Sequence, residues 1–258
     1  MSYAPPSYRN FKRFVGELTA YIAGAEAILQ KFAEEADSDD ELSQVAGAQG
    51  IVLSGVTPAS VVQCHSRLAI VSIASGLDQY FTETEEECKR MGLGWEKRDK
   101  TSKMSNLIAN ANEFSNQSFH QPAKLNAIEY YIALRNWVAH PGEKGKSRVE
   151  ELFTKNGQSL SEINELYRFR SAPNAVSGIN FHDSKLFAKL LLDVLKDLSS
   201  MLRPTDSQLV SNIPRDFLLR DSDTKRQRKR AAKHLESKYG LQLHTALEII
   251  NDHYDALA

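Results

Sequence analysis

Arg135, Asn136 and His140, in the stretch Arg135-Asn136-Trp137-Val138-Ala139-His140, are the residues of this chain whose types and spacing best suit a chemical task. A guanidinium stays charged at every physiological pH, and its planar fork of donors fits the oxygens of a phosphate. An imidazole titrates near ~6.5 when free, so it can give or take a proton at neutral pH. Those two groups are the ones needed to cut RNA without a metal. His140 would move the proton, and Arg135 would stabilise the charge that builds up around phosphorus in the transition state. The Asn136 amide can orient either partner or hold a phosphate oxygen. Glu129, one to two turns upstream, is placed to pin the Arg135 guanidinium.

The spacing poses a geometric problem. Five residues along a continuous α-helix turn through about 500°, so Arg135 and His140 would point about 140° apart. Pro141 follows His140 directly, and a proline disfavours the helical conformation of the residue before it. The sequence therefore predicts a helix that stops at His140 and frees the ring to swing back toward Arg135. A second copy of the chain across a two-fold axis could complete the geometry as well.

The elements that must carry these residues are helical. Phe11, Val15, Leu18, Ile22, Ala25, Leu29 and Phe32 recur at spacings of three and four, which predicts a helix over about 7–36, stopping in the acidic stretch Asp37-Ser38-Asp39-Asp40. Residues 41–56 show no clear period and read as a loop with room for one short helix. Thr57-Pro58 looks like an N-cap followed by a first-turn proline, opening a second long helix that runs to Met91. A shorter helix is predicted over 101–114. Gln121-Pro122 opens the helix that ends in the motif, and Gly142 to Lys146 read as a polar loop behind it. Two short helical pieces over 148–152 and 160–167 follow, then an irregular stretch, 171–179. Asp183 is placed to cap a strongly amphipathic helix that Pro204 ends. Two further helices are predicted over 224–239 and 242–257. A soft boundary near 203–208 divides a domain over 1–203 from a C-terminal helical extension over 204–258.

Composition bounds the rest. With 258 residues, 41% hydrophobic and 25% charged, the chain reads as an ordinary globular protein. A formal net charge of −1 provides no global field for nucleic acid, so any such surface must be a local patch. Cys64 and Cys88 fall far apart on one predicted helix, so no disulfide framework is implied and a cytoplasmic location fits best. Charges break up the N-terminal apolar stretch, which argues against a signal peptide or a membrane span. His65 and His120 lack metal-ligand spacing, so no metal site is read. Gly92-Leu93-Gly94 lacks the Lys-Ser/Thr of a phosphate loop, and no cofactor is read.

Leu134-Arg135-Asn136-Trp137-Val138-Ala139-His140-Pro141 resembles the signature of the HEPN superfamily, in which Arg is followed after four to six residues by His, often with Asn directly after the Arg. The resemblance spans about residues 7–203, but only 133–141 is motif-specific. It implies an up-and-down helical bundle with the motif near the end of the third core helix. It also implies a metal-independent endoribonuclease acting as a homodimer, of the kind found among toxins held by antitoxins and among antiphage-defence effectors. Arg135, Asn136 and His140 are the positions that carry the implied site. Cleavage would proceed by attack of the ribose 2′-hydroxyl on the adjacent phosphate, leaving a 2′,3′-cyclic phosphate. The alternative is a catalytically silent module that binds RNA, a nucleotide or a regulatory protein through the same cleft.

Lys225, Arg226, Arg228, Lys229 and Arg230, with Lys233 beyond, form a basic run on a predicted helix that suits RNA phosphates. A solvated helix face balanced by Asp221, Asp223 and Glu236 explains it equally well. Glu85-Glu86-Glu87 reads as a solvated helix end, and Trp95 and Trp137 as packing anchors. Ser66 and Arg67 could face the cleft from the second helix.

Overall fold

A computed structural model describes residues 3–36, 38, 40–169, 171–214 and 224–253. Among these the chain is all-α, with eleven α-helices, one 3₁₀ turn and no strand. The helices are α1 (Pro6–Glu35), α2 (Glu41–Ala48), α3 (Pro58–Arg90), α4 (Lys103–Ser115), α5 (Pro122–Ala139), α6 (Glu143–Lys155), α7 (Gly157–Tyr167), α8 (Phe181–Met201), α9 (Asp206–Ser211), α10 (Thr224–Tyr239) and α11 (Leu243–His253), with the 3₁₀ turn at Val176–Gly178. No helix among the described residues is long and apolar enough to cross a membrane. The predicted acidic stop at Asp37 and Asp39, the balancing carboxylates Asp221 and Asp223, and the predicted helix end at Leu257 lie outside the described residues.

Three predictions need correction. The polar stretch behind the motif is not a loop, because α6 begins at Glu143. Gly142 alone is extended, and its carbonyl accepts from Lys146 N at 3.1 Å to close the first turn. Glu143 in that turn suits the positive end of the helix dipole. Val149 and Leu152, three apart, are buried and hold the amphipathic face inward. After Pro204 the prediction missed α9, which opens on a capping box: Gln208 N donates to Thr205 Oγ1 at 3.3 Å and Thr205 N to Gln208 Oε1 at 3.0 Å. Glu87 is not solvated. It lies on the inward face of α3 with Thr84 and Cys88, and accepts from Ser7 Oγ at 3.1 Å. Burial raises its pKa, and the Ser7 donors oppose the shift.

The chain divides into two compact units whose bounds fall inside α1, α3 and α8 and between α4 and α5. One unit comprises Met1–Lys12, Asp78–His120 and Asp193–Ala258. Its core gathers Phe11, Tyr80, Leu107, Leu198, Leu235 and Tyr239, with α10 and α9 both packed on α11. The other comprises Arg13–Leu77 and Gln121–Leu192 and contains the motif. Ile70, Ile73, Ile128, Leu134, Phe187 and Leu191 belong to its core, and α5 packs on α6 and α7.

Candidate functional site

α5 exists because Pro122 sits in its first turn, where a missing N–H costs nothing, and because Ala127, Ile128, Tyr131 and Leu134 bury one face. It ends where Pro141 requires it to. His140 has φ −135° and ψ 75°, outside the helical region, while its N–H still bonds to Asn136 O at 2.9 Å. The chain then passes through extended Gly142 into α6, which folds back along α5. Gly145 lets the backbone of α6 come close to the indole, since a Cβ there would lie 3.2 Å from Trp137 Cδ1.

This turnback builds a recess of about 380 Å³ at the end of α5. Asn136 and His140, one helical turn apart, line it together with Glu129, Trp137 and Arg148. Ile132, Ala133 and Leu152 supply apolar wall. Asn136 and His140 are solvent-exposed, and Arg135 is half-buried. Arg135 lies one residue off this face and joins the recess through Asn136, whose Oδ1 accepts from Arg135 Nη1 at 2.9 Å. A straight helix alone therefore puts Asn136, rather than Arg135, on the side of His140. Glu129 Oε1 accepts from Arg148 Nη2 at 3.3 Å, and Arg148 Nη1 also lies 3.2 Å from Glu151 Oε2. Sequence reasoning did not pick out Arg148. It reaches the recess only because α6 doubles back, and no local spacing signals that. Of the pair noted on α3, Ser66 is buried and its hydroxyl bonds back to Val62 O at 3.2 Å, whereas Arg67 lies over the Trp137 ring.

Upstream on α5 the chemistry is closed rather than open. Asp183, in the first turn of α8, is fully buried at 0% exposure and accepts four hydrogen bonds. Tyr131 Oη donates to Oδ1 at 2.9 Å, as does Asn174 N at 2.9 Å. Oδ2 receives Asn174 Nδ2 at 2.8 Å and Asn180 N at 3.0 Å. Tyr130 Oη donates to Asn174 O. Burial raises the pKa of Asp183 although all four donors favour the carboxylate. The predicted cap is displaced by three residues: Asn180 caps α8, its Oδ1 accepting from His182 N at 2.9 Å, whereas Asp183 lies inside the first turn and is the hub that ties α5 to the segment 174–180.

In the other unit the basic run lies on α10. Ala231, Ala232, Leu235 and Tyr239 face inward, and Lys225, Arg226, Lys229 and Lys233 are exposed. Arg228 Nη1 donates to Asn251 Oδ1 of α11 at 3.3 Å, and Arg230 is half-buried. The exposed lysines recur every four residues, so they form a row with a rise of about 6 Å per step. Among the described residues no three His, Cys, Asp or Glu side chains gather where they could hold a metal ion. No protein-family model, curated protein or solved structure matches the chain.

Proposed function

We propose that the chain is a HEPN-like, metal-independent endoribonuclease that cleaves single-stranded RNA by 2′-hydroxyl attack and works in the cytoplasm as a toxin or antiphage-defence effector. The observation that carries this reading is the end of α5, where Pro141 releases His140 from the helix onto the recess that Asn136 lines, with Arg135 bonded to Asn136. His140 acts there as general base or acid. Arg135 and Asn136 bind the non-bridging phosphate oxygens, and Arg148 in the same recess supplies a further cation. Lys225, Arg226, Lys229 and Lys233 hold the RNA backbone elsewhere; Arg228 and Arg230 contribute charge to that patch.

A homodimer belongs to the proposal. Phe14, Tyr21 and Ile28 stand 39%, 75% and 72% exposed on α1, seven residues apart, which is the repeat of a helix seam. Large exposed apolar residues in such a row favour a partner helix of the same kind, and an antiparallel second copy places Phe14 opposite Ile28 about Tyr21.

A catalytically silent binding module is the second reading. It is favoured by Arg135 lying off the recess face. One experiment separates the two: purified protein is incubated with RNA in excess EDTA, beside His140→Ala and Arg135→Ala. Chelator-resistant cleavage that leaves cyclic phosphate ends and is lost in both variants supports the enzyme. Intact RNA, or cleavage indifferent to His140→Ala, overturns it. In the same samples Tyr21→Glu is expected to halve the mass in solution and to lower cleavage.

A further inference from the structure

Trp137 walls two recesses. One is the recess of Asn136 and His140. The other, of about 680 Å³, is lined on its far sides by Arg67, Pro141, Glu143, Glu150 and the segment 175–177. That volume falls within the range of sites that take small molecules or single nucleotides, about 300–1,000 Å³.

Arg67 is unusually well fixed for a half-exposed arginine. Its guanidinium carbon lies 5.3 Å from the centroid of the Trp137 ring, and Nη2 donates to Val176 O at 3.2 Å. Gln63, one turn earlier on α3, secures the same segment by donating to Ser177 O at 2.8 Å. That segment is anchored in turn through Asn174 and Asn180 to buried Asp183. The indole is held as well, with the backbone of α6 drawn close at Gly145. A free arginine side chain would lose substantial rotamer entropy on stacking, and here that loss has been met before any ligand arrives. The product is a planar cation backed by an indole, a surface of the kind on which unpaired RNA bases stack.

The walls also discriminate. Val176 O and Ser177 O already accept from Arg67 and Gln63, and Lys146 Nζ lies 4.0 Å from Glu150 Oε1. Glu143 and Glu150, both exposed, line the recess and bring carboxylate acceptors to its rim beside the Lys146 ammonium. A pair of acceptors suits the two N–H groups of an exocyclic amino group, which adenine, cytosine and guanine carry, better than the single N3–H that uracil offers.

We propose that Arg67, backed by Trp137, is the stacking surface for one unpaired nucleobase of a single-stranded RNA, beside the phosphate received at His140, and that Glu143 and Glu150 select a base with an exocyclic amino group. The choice of RNA as ligand rests on the ribonuclease reading; binding itself needs no turnover.

The chain has two tryptophans, so Trp95→Phe leaves Trp137 as the sole indole reporter. In a Trp95→Phe, His140→Ala background, oligo(A) of about ten nucleotides is expected to quench Trp137 emission saturably, and oligo(U) to bind about fivefold more weakly. Arg67→Ala is expected to weaken oligo(A) binding about tenfold. Arg67→Lys, which keeps the charge and loses the plane, is expected to weaken it nearly as much, with the thermal midpoint of each variant checked against the parent. Saturable oligo(A) binding without a change in Trp137 emission overturns the proposal, as does full affinity in Arg67→Lys. Equal quenching by adenosine monophosphate assigns the plate to a free nucleotide and overturns the RNA assignment. Chelator-resistant cleavage with silent Trp137 emission would sink the stacking surface and leave the nuclease. Quenching by oligo(A) with no cleavage by the wild type would do the reverse.

Discussion

Within its 18 residues α5 handles polar groups in two opposite ways. At Tyr131 the helix contributes a hydroxyl to a carboxylate that is sealed from water and saturated by four donors from three residues. About two turns later Asn136 and His140 stand in solvent, with the protein supplying few partners. Four fixed donors around one buried acceptor define a single arrangement of α5, α8 and the segment 174–180. An exposed imidazole at a helix end keeps its rotamers and its access to a ligand. On the proposed ribonuclease reading, the contrast separates what must be rigid from what must meet substrate, and puts both on one helix so that the first fixes the position of the second.

The sharpest way to break this contrast is to truncate one residue from each region. Asp183→Ala strands a buried tyrosine hydroxyl and takes the acceptor from two backbone N–H groups and a side-chain amide on half-buried residues. It is expected to cost about 3–5 kcal/mol in chemical denaturation. His140→Ala is expected to change stability by no more than about 0.5 kcal/mol while lowering RNA cleavage about 100-fold or more. Comparable destabilisation by the two variants would show that the motif is structural and that the division drawn along α5 is wrong.

The same contrast has a pH signature. Burial raises the pKa of Asp183, so the folded chain holds that proton more tightly than the unfolded chain does. Its contribution to stability is therefore fully present below the ordinary aspartate value of about 3.9, and is lost as pH rises through the higher folded value. Glu87, in the other unit, is raised by the same cause and follows the same sign. Subtracting the denaturation curve of Asp183→Asn from that of the wild type should reveal a decline that begins near pH 4 and then levels off. A difference that rises with pH would mean that the four donors outweigh burial.

The sequence revealed these regions unequally. The long helices α1, α3 and α5 were legible within about two residues, and α8 within three at its start, because spacings of three and four continue long enough to outweigh local exceptions. The end of α5 was legible because proline acts on its immediate neighbour. The capping box at Thr205 and Gln208 was readable as a motif, but sits in a helix too short to show periodicity. Glycines at 142 and 145 suggested a loop, although only Gly142 leaves the helix and Gly145 serves the contact with Trp137. Arg148 at the recess, and Asp183 as a hub rather than a cap, depend on segments distant in the chain, and local spacing carries no record of them.

The smallest effect expected is the most discriminating for how α6 meets the site. In a helix interior glycine costs about 0.5–1 kcal/mol relative to alanine. At Gly24 on α1 a Cβ would meet nothing within 4 Å, so Gly24→Ala should recover that amount in full. At Gly145 the same methyl lies 3.2 Å from Trp137 Cδ1, and the indole must give by a few tenths of an ångström. Gly145→Ala should therefore leave stability within about 0.5 kcal/mol of the wild type, the helical gain offset by the contact. Its mark should appear instead in the emission of Trp137 and in RNA cleavage. A full gain of stability at Gly145 with unchanged emission would show that α6 does not press on the indole, and that Trp137 is held by Arg67 alone.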